Sequence, residues 1–473
     1  MEAWSDEPEL YAREDNSSSE VRSEGMPERE EDTMKTTNKL GMILAGTAIL
    51  GGTGNAGMTV RAEGQVPQTN ESLSLCIDDL TREAFQSVFD AYQEKYPDVK
   101  LEIETYAGAD YQNARQKMNT QLMAGEGPDL LLLGVYDTDD VYKLMKAQLF
   151  APLDAYMAQD TEYQAEDYVQ GVFEAGRFGG QQYIVPLEYT APCVMSSEEC
   201  LADLGFDPDA CDTFDGLFSQ MAALYDTDYQ NRVMASSGWL DGFAEMTGLP
   251  LLDYENEEVL IDTPEMRTAM EQYQKMYAEN ITAPPESWYC NGKVIIDREA
   301  YLSMDGCSPY TGMMIAGGIS TSETPVVIPI RTEDGKTNAS IVTSAAVRAN
   351  SPNQQNAWNL IRMILEAQGD AAASASALPV NKAGVHAVME EYAEIVELNA
   401  ELEPEELHAV SQEFIESYES LLTSPEHAIF ARKITLSDLT YGTGKMVPFF
   451  EGKASYEECM QEYVDYASIY VSE

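Results

Sequence analysis

The chain has 473 residues, 44% of them hydrophobic, so there is room for two or three domains and an ordinary apolar core. Acidic residues number 82 against 28 basic ones, a formal charge of -54. That balance excludes a nucleic-acid partner, which needs clustered Lys and Arg against phosphate, and it disfavours anionic lipid. Surface solvation accounts for so much acid without any specific role.

In chain order, residues 1–33 are polar, acidic and nearly free of large aliphatics, and a disordered leader is expected there. Residues 34–62 open with a basic start (Lys35, Lys39), an apolar middle (Leu40 to Leu50) and a small-residue exit through Gly51, Gly52 and Ala56. This is the layout of a secretory signal peptide, with Met34 as the expected start and a mature chain beginning between Gly57 and Gln65. The apolar middle is shorter than the roughly 20 residues a membrane-spanning helix needs. Gly52-Thr-Gly-Asn-Ala-Gly57 matches the GxGxxG string of dinucleotide sites. Signal-like residues precede it and linker-like residues follow, so the strand and helix that chemistry requires are missing.

Seven cysteines (Cys76, Cys193, Cys200, Cys211, Cys290, Cys307, Cys459) form no CxxC pair, and His386, His408 and His427 are scattered. No metal and no cofactor are expected, and most of the thiols should pack as small apolar side chains.

After the leader, "SLSLCI" reads as a strand. "REAFQSVFDAYQEKYP" follows as a helix, with Phe85, Val88, Phe89 and Tyr92 at helical spacing and Pro97 as its stop. "VKLEIETY" alternates as a strand does, a helix starts near Tyr111, and after a Gly-Glu-Gly-Pro break Leu130 to Leu133 suit a strand buried on both faces. The order βαβαβ predicts an open α/β sheet, whose ligands bind beyond the carboxyl ends of the strands. The loops at those ends are "TYAGADY", with Tyr106 and Tyr111, and "GVYDTDD", with Asp137 and Asp139. Trp358 falls at helical spacing with Ile361 and Leu365, which predicts a core position.

The fragments "FDAYQEKYPDVKLEIETY", "MNTQLMAGEGPDLLLL", "KAQLFAPLDAY", "FGGQQYIVPLEYTAPCVMSSEECLADLGFD", "LIDTPEMRTAMEQYQKMYAEN", "SIVTSAAVRANSPNQQNAWNLIRMILEAQG" and "LPVNKAG" stand in an order that resembles the extracellular solute-binding proteins of ABC importers, particularly the sugar-binding group. The likeness runs from about Ser72 to Tyr466. It implies an α/β, two-lobed periplasmic-binding-protein-like fold with a hinge and an interlobe ligand cleft. By analogy the hinge is crossed near "FEAGRFGGQQY" and near "NASIVTSAAV". The segments then read as 66–175 (lobe 1), 176–342 (lobe 2), 343–420 (lobe 1 return and helices) and 421–473 (C-terminal helices on lobe 2). Gly176, Gly179 and Gly180 could absorb the dihedral changes of closure, and a surface hairpin would use them equally well. The family tends to carry a lipid-modified cysteine after the signal; here none lies near the exit, and Cys76 falls in the first strand.

A neutral sugar offers hydroxyls to polar side chains and an apolar face to aromatic rings. The resemblance places Tyr310, in "YLSMDGCSPYTG", where the family carries a stacking aromatic; a tyrosine ending a strand would read the same. Asp137 or Asp139 falls where the family has a sugar-binding acid, and either could instead cap the following helix. Glu188 and Tyr189, after "YIVP", look similar to cleft-facing residues, while Trp239 and Trp288 lie in polar loops. The chain shows no GxSxG, HExxH or Walker loop. An exported glycoside hydrolase would need two carboxylates about 5 to 10 Å apart, and 82 acidic residues supply such pairs by chance. The expectation is therefore a monomeric, non-enzymatic extracellular binding protein. It would capture a neutral mono- or oligosaccharide for the permease subunits of an ABC transporter. A polyamine or other small solute, and an adhesin or sensory receptor of the same fold, remain the alternatives.

Overall fold

The computed structural model describes residues 72–107, 111–134, 141–224, 251–264, 292–303, 308–332, 334–367, 377–430 and 444–472, with scattered positions between 266 and 274. These belong to one compact unit, Gln65–Glu473. The leader and signal expected at 1–62 lie outside the described residues, as do Cys290 and Cys307.

Strand β1 (Leu73–Asp78) leads into helix α1 (Asp79–Lys95), whose first turn is capped by the Asp78 carboxylate accepting from the Thr81 N–H. Phe85, Val88, Phe89 and Tyr92 form its buried stripe, as their spacing predicts. Then come β2 (Leu101–Tyr106), α2 (Tyr111–Met123) and β3 (Leu130–Leu133), all four of whose leucines are buried. β1 pairs in parallel with both β2 and β3, the arrangement a βαβαβ order dictates.

The chain next makes a hairpin of β4 (Arg177–Phe178) and β5 (Gln181–Gln182), then β6 (Ile184–Thr190) and β7 (Cys193–Ser197). Gly179 and Gly180, at φ 55° and 78°, form the two-residue turn of that hairpin, where a residue with a Cβ is strained. They are turn glycines within the first lobe, and not a hinge. A second small hairpin, β8 (Leu252–Asp253) and β9 (Glu258–Val259), packs on the C-terminal helix. β10 (Pro325–Pro329), β11 (Asn338–Val347), β12 (Leu378–Pro379) and β13 (His427–Ile429) complete the strands. The later helices used below are α3 (Pro309–Ile319), α4 (Gln354–Ala367), α5 (Lys382–Leu402), α6 (Gln412–Leu422) and α7 (Tyr456–Ser472).

The large sheet has the order β12-β6-β11-β3-β1-β2, with β13 also pairing β11. β11 is antiparallel to both β3 and β6, so β6 runs in the same direction as β1, β2 and β3. The small sheet is β7 paired antiparallel to β10, with Ser303 bridging Met195. α3 packs on β7 and β10, α5 on α3, and α6 on β10 and α5. α3 and α6 approach closely because Gly312 has no side chain; a Cβ there would lie 2.3 Å from the Tyr418 hydroxyl oxygen.

Among the described residues, strand membership puts crossings between lobes at 191–192 and 330–337, a further one where β12 gives way to α5, and one at 423–426. The first comes after β6, about ten residues beyond the position suggested by the glycines. The second immediately precedes "NASIVTSAAV". Helix α5 starts against β12 of the first sheet and runs on to pack with α3 and α6 of the second lobe, and β13 returns to the first sheet.

At the amino ends of the parallel strands Asp129 is buried and heavily bonded. It accepts from Ser74 N–H (3.0 Å), Ser74 Oγ (2.8 Å), Ser351 Oγ (2.7 Å) and Asn353 Nδ2 (3.2 Å), and pairs with Arg348 Nη2 at 3.2 Å. Burial alone would raise its pKa, but these donated bonds outweigh it and hold the carboxyl below its ordinary value. Trp358 is fully buried in α4, its indole N–H donating to Asp160 Oδ2 at 2.8 Å. Burial pushes the Cys200 and Cys211 thiols up to about 11, the behaviour of packed, inert side chains.

α5 starts where Asn381 accepts from the N–H groups of Ala383 and Gly384 while its amide donates to the Leu365 carbonyl at the end of α4. Asn381→Ala should therefore cost about 1 to 2 kcal/mol of stability, a cap plus a buried bond. Urea denaturation checks this, and a loss below a few tenths would refute it.

Candidate functional site

Because β6 runs with β1, β2 and β3, one edge of the large sheet gathers their carboxyl ends: Asp78, Tyr106, Leu133 and the Glu188–Thr190 segment. The first crossing leaves from this same edge, so the edge faces the junction with the second lobe. Sheets of this kind bind ligands there.

Glu188 is the chemically distinctive group at that edge. It is 4% exposed, and its Oε2 accepts from the Thr343 hydroxyl at 2.6 Å. Its Oε1 is buried and has no hydrogen-bond partner among the described residues. The β6–β11 pairing shifts register on both sides of Thr343, and Thr343 is the residue paired with Glu188. Burial raises the Glu188 pKa, the Thr343 bond offsets part of this, and the nearby Asp78 carboxylate raises it further. A buried acceptor kept short of partners suits a donor that arrives from outside.

Tyr310 lies on the other lobe. Ser308 precedes α3, and Pro309 begins it, which suits a helix start. The far end of α3 runs into Glu323 and Thr324, which adjoin Ser197 and Glu198 at the end of β7 away from the crossing. An 11-residue helix is about 16 Å long, so α3, packed along β7, brings Tyr310 toward the crossing end of the small sheet. Its ring is 41% exposed and meets Tyr392 edge-on at 5.5 Å between centroids. Tyr310 therefore starts a helix, and does not end a strand.

The other candidates are distributed as follows. Tyr106 is half-buried at the end of β2 and lines a cavity of about 200 Å³ with Cys76, Glu104, Lys117 and Gln121, where Lys117 pairs with Glu104. Tyr111 begins α2, but its side chain lies outside the described residues, as do Asp137, Asp139, Trp239 and Trp288 altogether. Tyr189 is fully buried, and its hydroxyl donates to the Leu422 carbonyl at 2.6 Å. Successive strand residues face opposite sides, so with Glu188 at the edge site Tyr189 points into the core. Sequence reasoning missed Thr343 and Asp78; the signal for Thr343 is the hydroxyl pair Thr343-Ser344 inside the otherwise apolar "IVTSAAV". A larger groove of about 470 Å³, lined by Asp262, Arg267 and Glu457 among others, involves none of the carboxyl ends of the large sheet. Among the described residues no group of His, Cys, Asp and Glu could hold a metal ion.

Residues 78–371 match the family model of the bacterial extracellular solute-binding proteins, and the chain belongs to that family. A stretch of 139 residues is 23% identical to an uncharacterized ABC transporter extracellular-binding protein of Pyrococcus horikoshii, covering 29% of this chain and 30% of that one. The match thus spans about a third of that relative's length. Among solved structures, the sugar-binding protein MalE from Xanthomonas citri superposes with a TM-score of 0.60 at 15% identity, covering 85% of this chain and 97% of the other. A cyclic alpha-maltosyl-1,6-maltose binding protein from Arthrobacter globiformis gives 0.53 at 16% identity, covering 85% and 98%. These likenesses show the periplasmic-binding-protein fold, two lobes about a hinge with the cleft between them. No helix among the described residues is long and apolar enough to cross a membrane.

Proposed function

We propose that the protein captures a neutral mono- or oligosaccharide in the cleft and delivers it to the permease subunits of an ABC importer. It acts as an exported monomer outside the membrane and catalyses no reaction. The observation that carries this reading is a buried carboxyl oxygen, on Glu188, that has no partner among the described residues, and a half-exposed ring on the other lobe, Tyr310, supports it. A hydroxyl-bearing solute with an apolar face satisfies both. The sugar-binding names of the structural neighbours support it, as does a charge of -54 that repels anionic solutes. Tyr106 and, from segments outside the described residues, Asp137, Asp139, Trp239 and Trp288 would complete the pocket.

Polyamines are the second reading, favoured by that same negative field. Salt separates the two, since screening weakens the attraction of a charged ligand far more than that of a neutral one. Calorimetry against neutral sugars and spermidine at low and high salt should show sugar binding nearly independent of ionic strength. Tight, salt-sensitive binding of spermidine with no sugar response would overturn the carbohydrate assignment. Tyr310→Ala should weaken sugar binding by about 1 to 2 kcal/mol, the size of a partly buried aromatic contact. An unchanged affinity would remove Tyr310 from the site.

A further inference from the structure

Tyr189 is buried in the core, yet its hydroxyl joins two segments on opposite sides of the hinge. β6 is the last strand of the large sheet before the first crossing, and Tyr189 is its penultimate residue. Leu422 is the last residue of α6, a helix that packs with the second lobe, and the return to the large sheet begins one residue later. The Leu422 carbonyl is one of the final four of its helix, which have no acceptor role within the helix. Tyr189 Oη supplies the missing donor at 2.6 Å. The neighbouring residue on the opposite face of β6 is Glu188, at the cleft edge.

We propose that Tyr189 is a positioning residue: its bond to the end of α6 ties the angle between the lobes to the placement of Glu188. Rotation of the second lobe moves the end of α6, and the phenol transmits that movement to β6 at the position beside the ligand-facing carboxyl. Other bonds also join the parts at the crossings: at the start of α5, Lys382 Nζ donates to the Glu166 carbonyl at 3.0 Å. Thr337 Oγ1 donates to the Ser424 carbonyl at 2.9 Å, and the N–H groups of Glu426 and His427 donate to Thr337 O, all next to the β11–β13 pair of the large sheet. The bond from Tyr189 therefore favours the lobe arrangement in which it is made. Removing it should shift the balance of arrangements in the empty protein by about two- to tenfold, the range of a buried hydrogen bond.

The proposal rests on the two-lobed reading of the chain and not on the identity of the solute, so its test uses the ligand-free protein. Tyr92 supplies a matched control, since its buried hydroxyl donates to the Asn356 carbonyl at 3.1 Å entirely within the first lobe. Spin labels carried on unnatural side chains at the exposed positions Ser87 and Ser417 report the distance between α1 and α6 by electron-electron double resonance. Tyr189→Phe and Tyr92→Phe should both lower the melting temperature, and only Tyr189→Phe should change the distance distribution. If Tyr189→Phe does not accumulate, 3-fluorotyrosine at position 189 strengthens the donor and should narrow the distribution instead. A distribution unchanged from wild type in the folded Tyr189 variant, with the same thermal loss as Tyr92→Phe, reduces Tyr189 to a core residue and overturns the proposal. Failure of every sugar to bind would leave this result standing and remove only the carbohydrate assignment.

Discussion

Asp129→Ala lowers the stability of the protein by about 3 to 5 kcal/mol at neutral pH, because it takes the counter-charge from Arg348 Nη2 and removes the shared acceptor of Ser74, Ser351 and Asn353 at once. The folded-state pKa of Asp129 lies below its unfolded value, so its contribution is present above the unfolded pKa and is lost as pH falls through the folded one. The gap between wild type and variant should thus be widest near pH 7 and close toward pH 2. Urea melts at several pH values measure it. A gap below about 1 kcal/mol at pH 7, or one independent of pH, would sink the claim.

At Glu188 two replacements should separate solute binding from stability. Glu188→Ala removes the acceptor and should weaken solute binding by about 1.5 to 3 kcal/mol, the worth of a hydrogen bond to a charged group. Glu188→Gln keeps the shape and the bond with Thr343 and should stabilise the empty protein by about 0.5 to 2 kcal/mol, since binding sites trade stability for function. The sign follows from the raised pKa. The stability attached to a carboxyl raised by burial is fully present below its unfolded pKa and is lost as pH rises through the folded one. The advantage of Glu188→Gln should therefore be absent in acid and grow as pH rises from the ordinary carboxylate range. Calorimetric melts across pH decide it, and a Gln variant less stable than wild type at pH 8 would refute the assignment of strain to this carboxyl.

The first βαβαβ unit was legible because its signals are local: Asp78 caps α1, Phe85 to Tyr92 recur at helical spacing, and four leucines follow a Gly-Pro break. The hinge was harder to read. Gly179 and Gly180 advertise flexibility, but a two-residue hairpin turn requires the same positive φ, and only strand pairing reveals that β6 still belongs to the first lobe. The apolar run of β6 is buried on both faces and carries no mark of which sheet it joins. Glu188 was found by position, whereas its unsatisfied oxygen depends on Thr343, 155 residues away. Nothing local in "GEGPD" marks Asp129, since its donors come from 55 residues upstream and more than 200 downstream. Tyr189 looked like a ligand residue because sequence shows that a tyrosine stands beside Glu188, not which side of the strand it takes.

The placement of β11 has a consequence for how the chain acquires its structure. This strand sits between β3 and β6, yet it pairs with Leu130 to Leu133 across roughly 200 positions of intervening sequence. The first half of the chain emerges with β1, β2 and β3 already available but with the open side of β3 unfilled until residue 347 follows. Pairing at this sequence separation delays completion of the sheet, so folding is expected to be slow. For a polypeptide proposed to leave the cell through a narrow secretion channel, delay is useful: the nascent chain stays threadable, and the sheet closes only after nearly three quarters of it has been delivered.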